Sequence, residues 1–329
     1  MRLPRARVWT YSLVLMLLCA GMAAGQPAST SPGPVYPSKP IRIVTGAAGS
    51  GVDFASRLIA TGIAPSLGQP VFVDNRTSGI IVGETVARAP ADGYTLLLTG
   101  STFWVGSLLE KPPYDVIRDF APITWVTSAA NVLVVHPSLP VKSVKDLIAL
   151  AKARPGELNY ALSGMGGPPH LATELFKSMA GGLSIMQINY KGVGNAVNAL
   201  IAGEIQMMIS TAPAVIPSIK SGKLRALGVT SAQPSVLVPG LPPIADSGLP
   251  GFEHINIMAM FAPAKTPAAA INQLNREIVR FLRTAEAKER FLNSGVETVG
   301  SSPEEFATKV KSEMSKWGKT IKDANIRVD

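Results

Sequence analysis

The chain has 329 residues, 47% hydrophobic and 16% charged, which is enough to bury a large core and to build two lobes. Its formal charge is +9. The lysines and arginines are scattered rather than clustered, which sets aside a nucleic-acid surface and suits small anionic solutes. Its one cysteine, Cys19, sits near the N-terminus, so the rest of the chain has no disulfide, thiol nucleophile or cysteine-based metal site.

Residues 1–25 read as a secretory signal. Arg2, Arg5 and Arg7 precede an apolar run from Val8 to Ala20, and small residues Ala23, Ala24 and Gly25 follow. The run is shorter than the roughly 20 residues a membrane span needs. Cleavage near Gln26 would remove three arginines and take the charge from +9 to +6. Leu18 before Cys19 does not fit lipoprotein processing, which needs a small residue there. Export without disulfides suits a bacterial periplasm. Residues 26–37, rich in proline, serine and threonine, read as a linker.

The most informative stretch comes next. Ile41, Ile43 and Val44 give strand character. Gly46, Gly49 and Gly51 allow a tight turn and close approach of backbone to a ligand. Ser50 and Asp53 have capping-box spacing, and Phe54, Leu58, Ile59 and Ile63 recur at helical intervals. A helix start of this kind can hold an anion through unpaired N–H groups without a charged side chain. A glycine turn between strand and helix is also common in any α/β domain, with Ser50 and Asp53 doing no more than capping.

Further strand–helix pairs follow in order. Strands are expected over 71–73, 94–98, 158–162, 185–188, 205–209 and 224–230. Helices are expected over 80–89, 103–109, 144–154 (capped by Ser143), from Pro168 or Pro169 onward, over 195–202, and after Ala212–Pro213. Residues 123–135 suit a strand crossing between lobes, and 255–261 a return path. Residues 234–251 are loop-rich, with room for a short helix. Two apolar stripes, Ile271–Leu274–Ile278–Phe281 and Phe306–Val310–Met314–Trp317–Ile321, mark C-terminal helices. Alternating strands and helices imply an α/β fold with largely parallel pairing, whose ligands bind beyond the strands' carboxyl ends.

Four such ends, at 45–50, 99–102, 163–167 and 210–211, are made of Gly, Ser, Thr and Ala, apart from Met165. Together they suggest a site of N–H and hydroxyl donors for a small anion. Catalytic patterns are scarce: there is no HExxH, Gly-x-Ser-x-Gly or Walker loop. Thr45 to Gly51 approaches a dehydrogenase nucleotide loop, but it is one residue short and no tyrosine is followed by lysine at the required spacing. Of the three histidines, His136 ends an apolar strand and His254 carries no signal. His170 stands beside a glycine loop, where a structural hydrogen bond is favoured over catalysis. Asp53 could accept an amine, though capping is favoured. Lys191 in a Tyr-Lys-Gly turn could pair with a carboxylate or simply be exposed. Phe103 and Trp104 could line a pocket, with core packing slightly favoured.

Several pieces in the right order carry a family resemblance: Tyr36 to Val44, Gly49 to Asp53, Leu67 to Val71, Asp92 to Leu96, Pro113 to Asp115 and Asp119 to Pro122. Ser163 to Gly166 with His170-Leu171, Tyr190 to Gly192, and Gly222 to Ala226 complete the set. From about Tyr36 onward the chain resembles the substrate-binding proteins of tripartite tricarboxylate transporters, the Bug or TctC family. The resemblance implies a two-lobed periplasmic-binding-protein fold (type II-like), each lobe a mostly parallel sheet flanked by helices. Lobe 1 would be 38–130 plus 253–329, and lobe 2 would be 131–252.

It further implies a monomeric periplasmic receptor, without cofactor or metal, closing on a small carboxylate. The implied ligand set is Thr45, Gly46, Ala47, Gly49, Ser50 and Asp53 with Ser101 nearby, and Ser163, Gly166, Gly167, His170 and Ser210 from the second lobe. Gly46 stands where the family often has an aromatic, Gly167 where it has Thr or Ser, and Ser210 where it has Asp. The last change removes a carboxylate suited to an amino-acid ammonium group, and Phe103-Trp104 suggests a more apolar solute. The expected partner is a membrane transporter. A sensor protein is the alternative partner, and a secreted hydrolase using His170, Ser163 and Asp53 is a less favoured function.

Overall fold

The structure is a computed structural model describing residues 36–77, 79–164 and 166–323. The expected signal segment 1–25, Cys19, and linker residues 26–35 lie outside the described residues. The described residues from 39 to 323 form one compact unit.

The strands are β1 (Ile41–Thr45), β2 (Val71–Asn75), β3 (Thr95–Gly100), β4 (Phe120–Val135), β5 (Asn159–Leu162), β6 (Met186–Asn189), β7 (Met207–Thr211), β8 (Arg225–Val229), β9 (Ile255–Pro263) and β10 (Glu297–Thr298). The helices are α1 (Gly51–Leu67), α2 (Gly79–Ala87), α3 (Thr102–Leu109), α4 (Val144–Ala153), α5 (Pro168–Met179), α6 (Val193–Ala202), α7 (Ala212–Lys220), α8 (Ala268–Leu282), α9 (Ala285–Asn293) and α10 (Pro303–Asp323). Residues 234–251 hold no helix. The short β10 and the helix α9 are additions to the sequence reading.

The strands join in one mixed sheet of order β2-β1-β3-β9-β4-β7-β5-β6, with β10 and β8 also paired to β4. Pairing is parallel for β1 with β2 and β3, and for β5 with β6 and β7. It is antiparallel wherever β4 or β9 takes part. The expected parallel pairing therefore holds on both flanks, with two antiparallel crossing strands between them. β4 runs unbroken through 16 residues. It pairs with β9 as far as Ala130 and with β7 from Asn131.

At that change of partner, Thr230 Oγ1 accepts from the Asn131 N–H at 2.8 Å, and its own N–H donates to the Asn131 carbonyl at 2.9 Å. The His254 N–H donates to the Thr230 carbonyl at 2.8 Å. Burial, with Lys316 and Lys309 nearby, pushes the His254 imidazole down to about 3, so it stays neutral and packs edge-on against Trp317.

The apolar stripes of the helices close over both faces of the sheet. Trp104, Phe261 and Phe306 meet on one side, with Phe261 and Phe306 centroids 4.9 Å apart. Trp104 is fully buried and belongs to the core. The C-terminal stripe is largely interior, with Phe306, Val310 and Trp317 all buried.

One close helix contact is set by a glycine. A Cβ built at Gly62 of α1 would lie 2.2 Å from the Phe281 ring of α8. Alanine normally stabilises a helix interior by about 0.5–1 kcal/mol relative to glycine. Here the overlap reverses the sign, and Gly62→Ala should destabilise by about 1–3 kcal/mol, the usual range for overpacking. Urea unfolding monitored by circular dichroism checks this. An unchanged or raised midpoint would show that α8 moves away freely.

Candidate functional site

The carboxyl ends of β1 and β3 lie side by side because the two strands pair in parallel. β1 ends at Thr45, whose hydroxyl donates to the Leu98 carbonyl at 2.8 Å. Thr45 is fully buried, so its hydroxyl ties strands together and is spent there. The loop then turns through Gly49, whose φ of +79° favours glycine. The Ser50 N–H donates to the Ala47 carbonyl at 3.2 Å.

Behind this loop sits Asp53, only 5% exposed. Its Oδ2 accepts the Gly49 N–H at 2.8 Å, and its Oδ1 accepts Asn75 Nδ2 at 2.9 Å and Arg57 Nε at 2.9 Å. Asn75 Nδ2 also donates to the Gly46 carbonyl at 2.8 Å, and Arg57 Nη2 donates to Asn75 Oδ1 at 2.9 Å. Burial works to raise the Asp53 pKa, but the bonds from Gly49, Arg57 and Asn75 hold it below the usual carboxylate range. Ser50 is the N-cap of α1, its Oγ accepting the Asp53 N–H at 3.4 Å. The reciprocal half of a capping box is shifted by one residue, since Asp53 takes the Gly49 N–H. Asp53 thus fixes the loop from behind, with its oxygens occupied.

Two adjoining cavities open in front of this loop. One, of about 380 Å³, is lined by Gly46, Ser50, Gly51 and Val52, by Thr99, Gly100 and Thr102, and by Pro168 and Asn256 among others. The other, of about 440 Å³, shares Gly79, Thr99 and Thr102 with the first and adds Gly166 and Gly167. Among the described residues, no lysine or arginine lines either cavity, and no charged side chain lines the first. The first-turn N–H groups of α1, at Gly51 and Val52, have no partner within the helix and carry the positive end of its dipole.

Of the residues singled out in the sequence, Gly46, Ser50, Gly51, Gly166 and Gly167 line these cavities, and Phe103, largely buried in the core, also borders the second. Gly49 borders a smaller space of about 130 Å³ beside Phe54 and Phe291. Ala47 is exposed, and Ser163 is half-buried; neither lines a cavity described here. Ser101 is buried at the start of α3, its N–H bonded to the Ile257 carbonyl at 2.8 Å. Ser210 is buried in β7, paired to Val132 of β4, and lines neither cavity.

His170 is 4% exposed, and its Nδ1 accepts the Gly166 N–H at 3.1 Å. Burial, opposed by Glu174 and aided by Lys177, lowers its pKa. It is therefore a neutral imidazole holding the second glycine loop. That bond also consumes the Gly166 N–H, and prolines at 168 and 169 supply no N–H. The second loop therefore has fewer free donors than its composition suggested. Thr99 and Thr102, from the 99–102 strand end singled out in the sequence, line both cavities, whereas Gly79 and Asn256 were missing from the sequence-based set. Asn256 had a signal, as the lone polar residue in the Ile255–Phe261 run.

Residues 55–326 match the tripartite tricarboxylate transporter family receptor. The chain belongs to this family. It is 37% identical to protein BugT of Bordetella pertussis over 320 residues, spanning 95% of this chain and 96% of that one. Among solved structures it is similar to R. palustris Rpa4515, solved with adipate, at 34% identity and a TM-score of 0.71 over 89% of this chain and 99% of that one. It is also similar to MatC of Rhodopseudomonas palustris, solved with bound malate, at 25% identity and a TM-score of 0.68 over 87% and 100%. The fold is the two-lobed α/β fold of these periplasmic binding proteins. As a TctC-family protein the chain is a solute-binding receptor. Among its described residues no helix is long and apolar enough to cross a membrane.

The Asp53 cluster gives the TctC-type loop a defined acid response. A carboxyl whose folded pKa is lowered stabilises the fold above its unfolded value of about 3.9. That stabilisation is lost as the pH falls through the lower folded value. Asp53→Asn should therefore give a shallower fall of unfolding free energy between pH 5 and about 3. Chemical unfolding across that range measures the slope, and an unchanged slope would mean the cluster does not respond as drawn.

Proposed function

We propose that the protein is a periplasmic receptor that holds a small carboxylate in the cleft before Ser50. It hands the solute to a membrane transporter of the tripartite tricarboxylate type. The observation that carries this reading is a cleft end with N–H and hydroxyl donors and no charged side chain, set at the N-terminus of α1. Such an end favours an anion by hydrogen bonding and dipole together. The adipate and malate seen in the two related structures are anions of this kind. Export fits the N-terminal pattern of arginines, apolar run and small residues.

The lobes are proposed to meet between residues 130 and 131 and between 252 and 253. This is supported by the partner change of β4 at Asn131, and closure there would enclose the solute. A binding role rather than turnover is supported by the occupied state of the two groups best placed for chemistry. His170 Nδ1 already accepts an N–H, and Asp53 already accepts three donors.

The test removes one donor without harming the helix. Proline is tolerated at the first helical position, and Ser50 has φ −77° and ψ 166°, the extended geometry required before proline. Gly51→Pro should keep the fold while deleting one N–H, because the atom nearest its new Cβ, Met258 Cε at 3.1 Å, is the free end of a flexible side chain that can shift. Wild-type protein is screened by thermal shift against mono-, di- and tricarboxylates and their amides, and Kd values of the hits are measured by calorimetry. At 100 times Kd a ligand adds about 2.7 kcal/mol of stability. The expected result is a shift for an acid but not its amide, with affinity reduced about tenfold or more in Gly51→Pro, as for a hydrogen bond to a charged group. Equal shifts for acid and amide would overturn the anion reading.

A further inference from the structure

We propose that the far end of the cleft selects against a second negative charge, so that the preferred solute is an elongated monocarboxylate with an apolar tail. This rests on the reading that the α1 loop holds the carboxylate. The two cavities share Gly79, Thr99 and Thr102, so a solute gripped at Gly51 and Val52 extends past these small residues into the larger chamber. The apolar part of that chamber's wall is Ile80, Phe103, Leu109, Pro112 and Tyr114, beside Ser107 and the second glycine loop; the Ser107 hydroxyl is spent on the Trp104 carbonyl at 2.7 Å. Ile80 is the most open of the apolar residues here, 37% exposed, while Phe103 and Tyr114 are largely buried and back the wall with ring carbon.

Among the described residues, the one carboxylate lining the chamber is Glu110. It is exposed and follows the last residue of α3. Its backbone N–H caps the helix by donating to the Gly106 carbonyl at 2.8 Å, which leaves the side chain outside that role. Its charge is felt at the chamber wall: burial first, then Glu110, pushes the Tyr114 phenol up to about 12. The helix itself adds to the asymmetry. Thr102 at the N-terminus of α3 lies where the two cavities meet, while Leu109 at its C-terminus lies in the far chamber. Eight residues at a rise of about 1.5 Å place these ends roughly 12 Å apart. The positive end of the dipole thus faces the carboxylate, and the negative end joins Glu110 at the tail. No lysine or arginine lines either cavity among the described residues. The counterweight to Glu110 in the chamber is the N-terminus of α5 at Gly166 and Gly167, and it is short of donors, since His170 takes the Gly166 N–H and residues 168 and 169 are prolines.

The experiment is calorimetric titration of the full chain with hexanoate, 4-phenylbutanoate and adipate at pH 7.5. Wild type, Glu110→Gln and Gly51→Pro are compared. The expected result is binding of both monocarboxylates at least tenfold tighter than adipate in wild type. Glu110→Gln should narrow that gap at least fivefold by strengthening adipate and leaving hexanoate unchanged. Gly51→Pro should weaken all the acids together. Adipate binding as tightly as hexanoate in wild type, or a gap untouched by Glu110→Gln, overturns the selection and leaves the anion loop standing. Binding of no acid to the wild type overturns the anion-loop reading, and this inference with it.

Discussion

The buried Asp53 carboxylate organises the cleft. An N-terminal helix turn exposes donors to any anion, but only a fixed loop presents them at one geometry. Asp53 fixes the loop by drawing in the Gly49 N–H from one side and Asn75 from the other, while Asn75 also holds the Gly46 carbonyl. A negative charge behind an anion site would ordinarily repel the ligand. Arg57, at 2.9 Å from Asp53, neutralises that charge on the outer side, away from the cavity-lining residues. The loop therefore gains charge-assisted bonds without turning the cleft negative.

The second constraint is β4. A single unbroken strand passes from one pairing region into the next, and every antiparallel pair in the sheet involves it or β9. Both parallel flanks therefore point the carboxyl ends of their strands toward the same crossing. This is what brings Gly46 and Thr99 from one flank near Gly166 and Gly167 from the other. The crossing is itself bonded at Asn131, Thr230 and His254. A neutral, buried His254 against Trp317 makes that junction insensitive to ordinary changes of pH.

Much of this was readable in the sequence, for physical reasons that differ by residue. Ile41, Ile43 and Val44 followed by glycines define a strand and its exit loop through local chemistry alone. Ser50 and Ser143 were legible as caps because capping is a matter of three-residue spacing, and both accept the expected N–H. What local pattern could not carry was the partner of each donor. The Thr45 hydroxyl is spent on Leu98, a contact fixed by the register of β1 against β3. The Gly166 N–H is spent on His170, which depends on how the imidazole folds back over the loop. Asn256 enters the cleft because β9 pairs with β3 opposite this site. Glu110 and Tyr114 lie in and beside an irregular stretch with no periodicity to read.

A grip without fixed positive charge places the burden of recognition on shape. An ion pair would attract any anion over a distance, whereas N–H and hydroxyl donors act only on an oxygen within hydrogen-bond reach. The loop must then be unable to adapt. At Gly46 a Cβ would lie 3.0 Å from Val52 Cγ2. A side chain at Gly46 would press on the first turn of α1 and displace its N–H groups. The aromatic surface stands on the wall of the adjoining cavity, in Phe103 and Tyr114 stacked 5.3 Å apart. That wall is anchored by Phe120, 5.1 Å from Phe103, and so by the same strand that crosses the sheet. The donors at one end of the cleft and the rings at the other are thus both held by core contacts, and the solute must fit the distance between them.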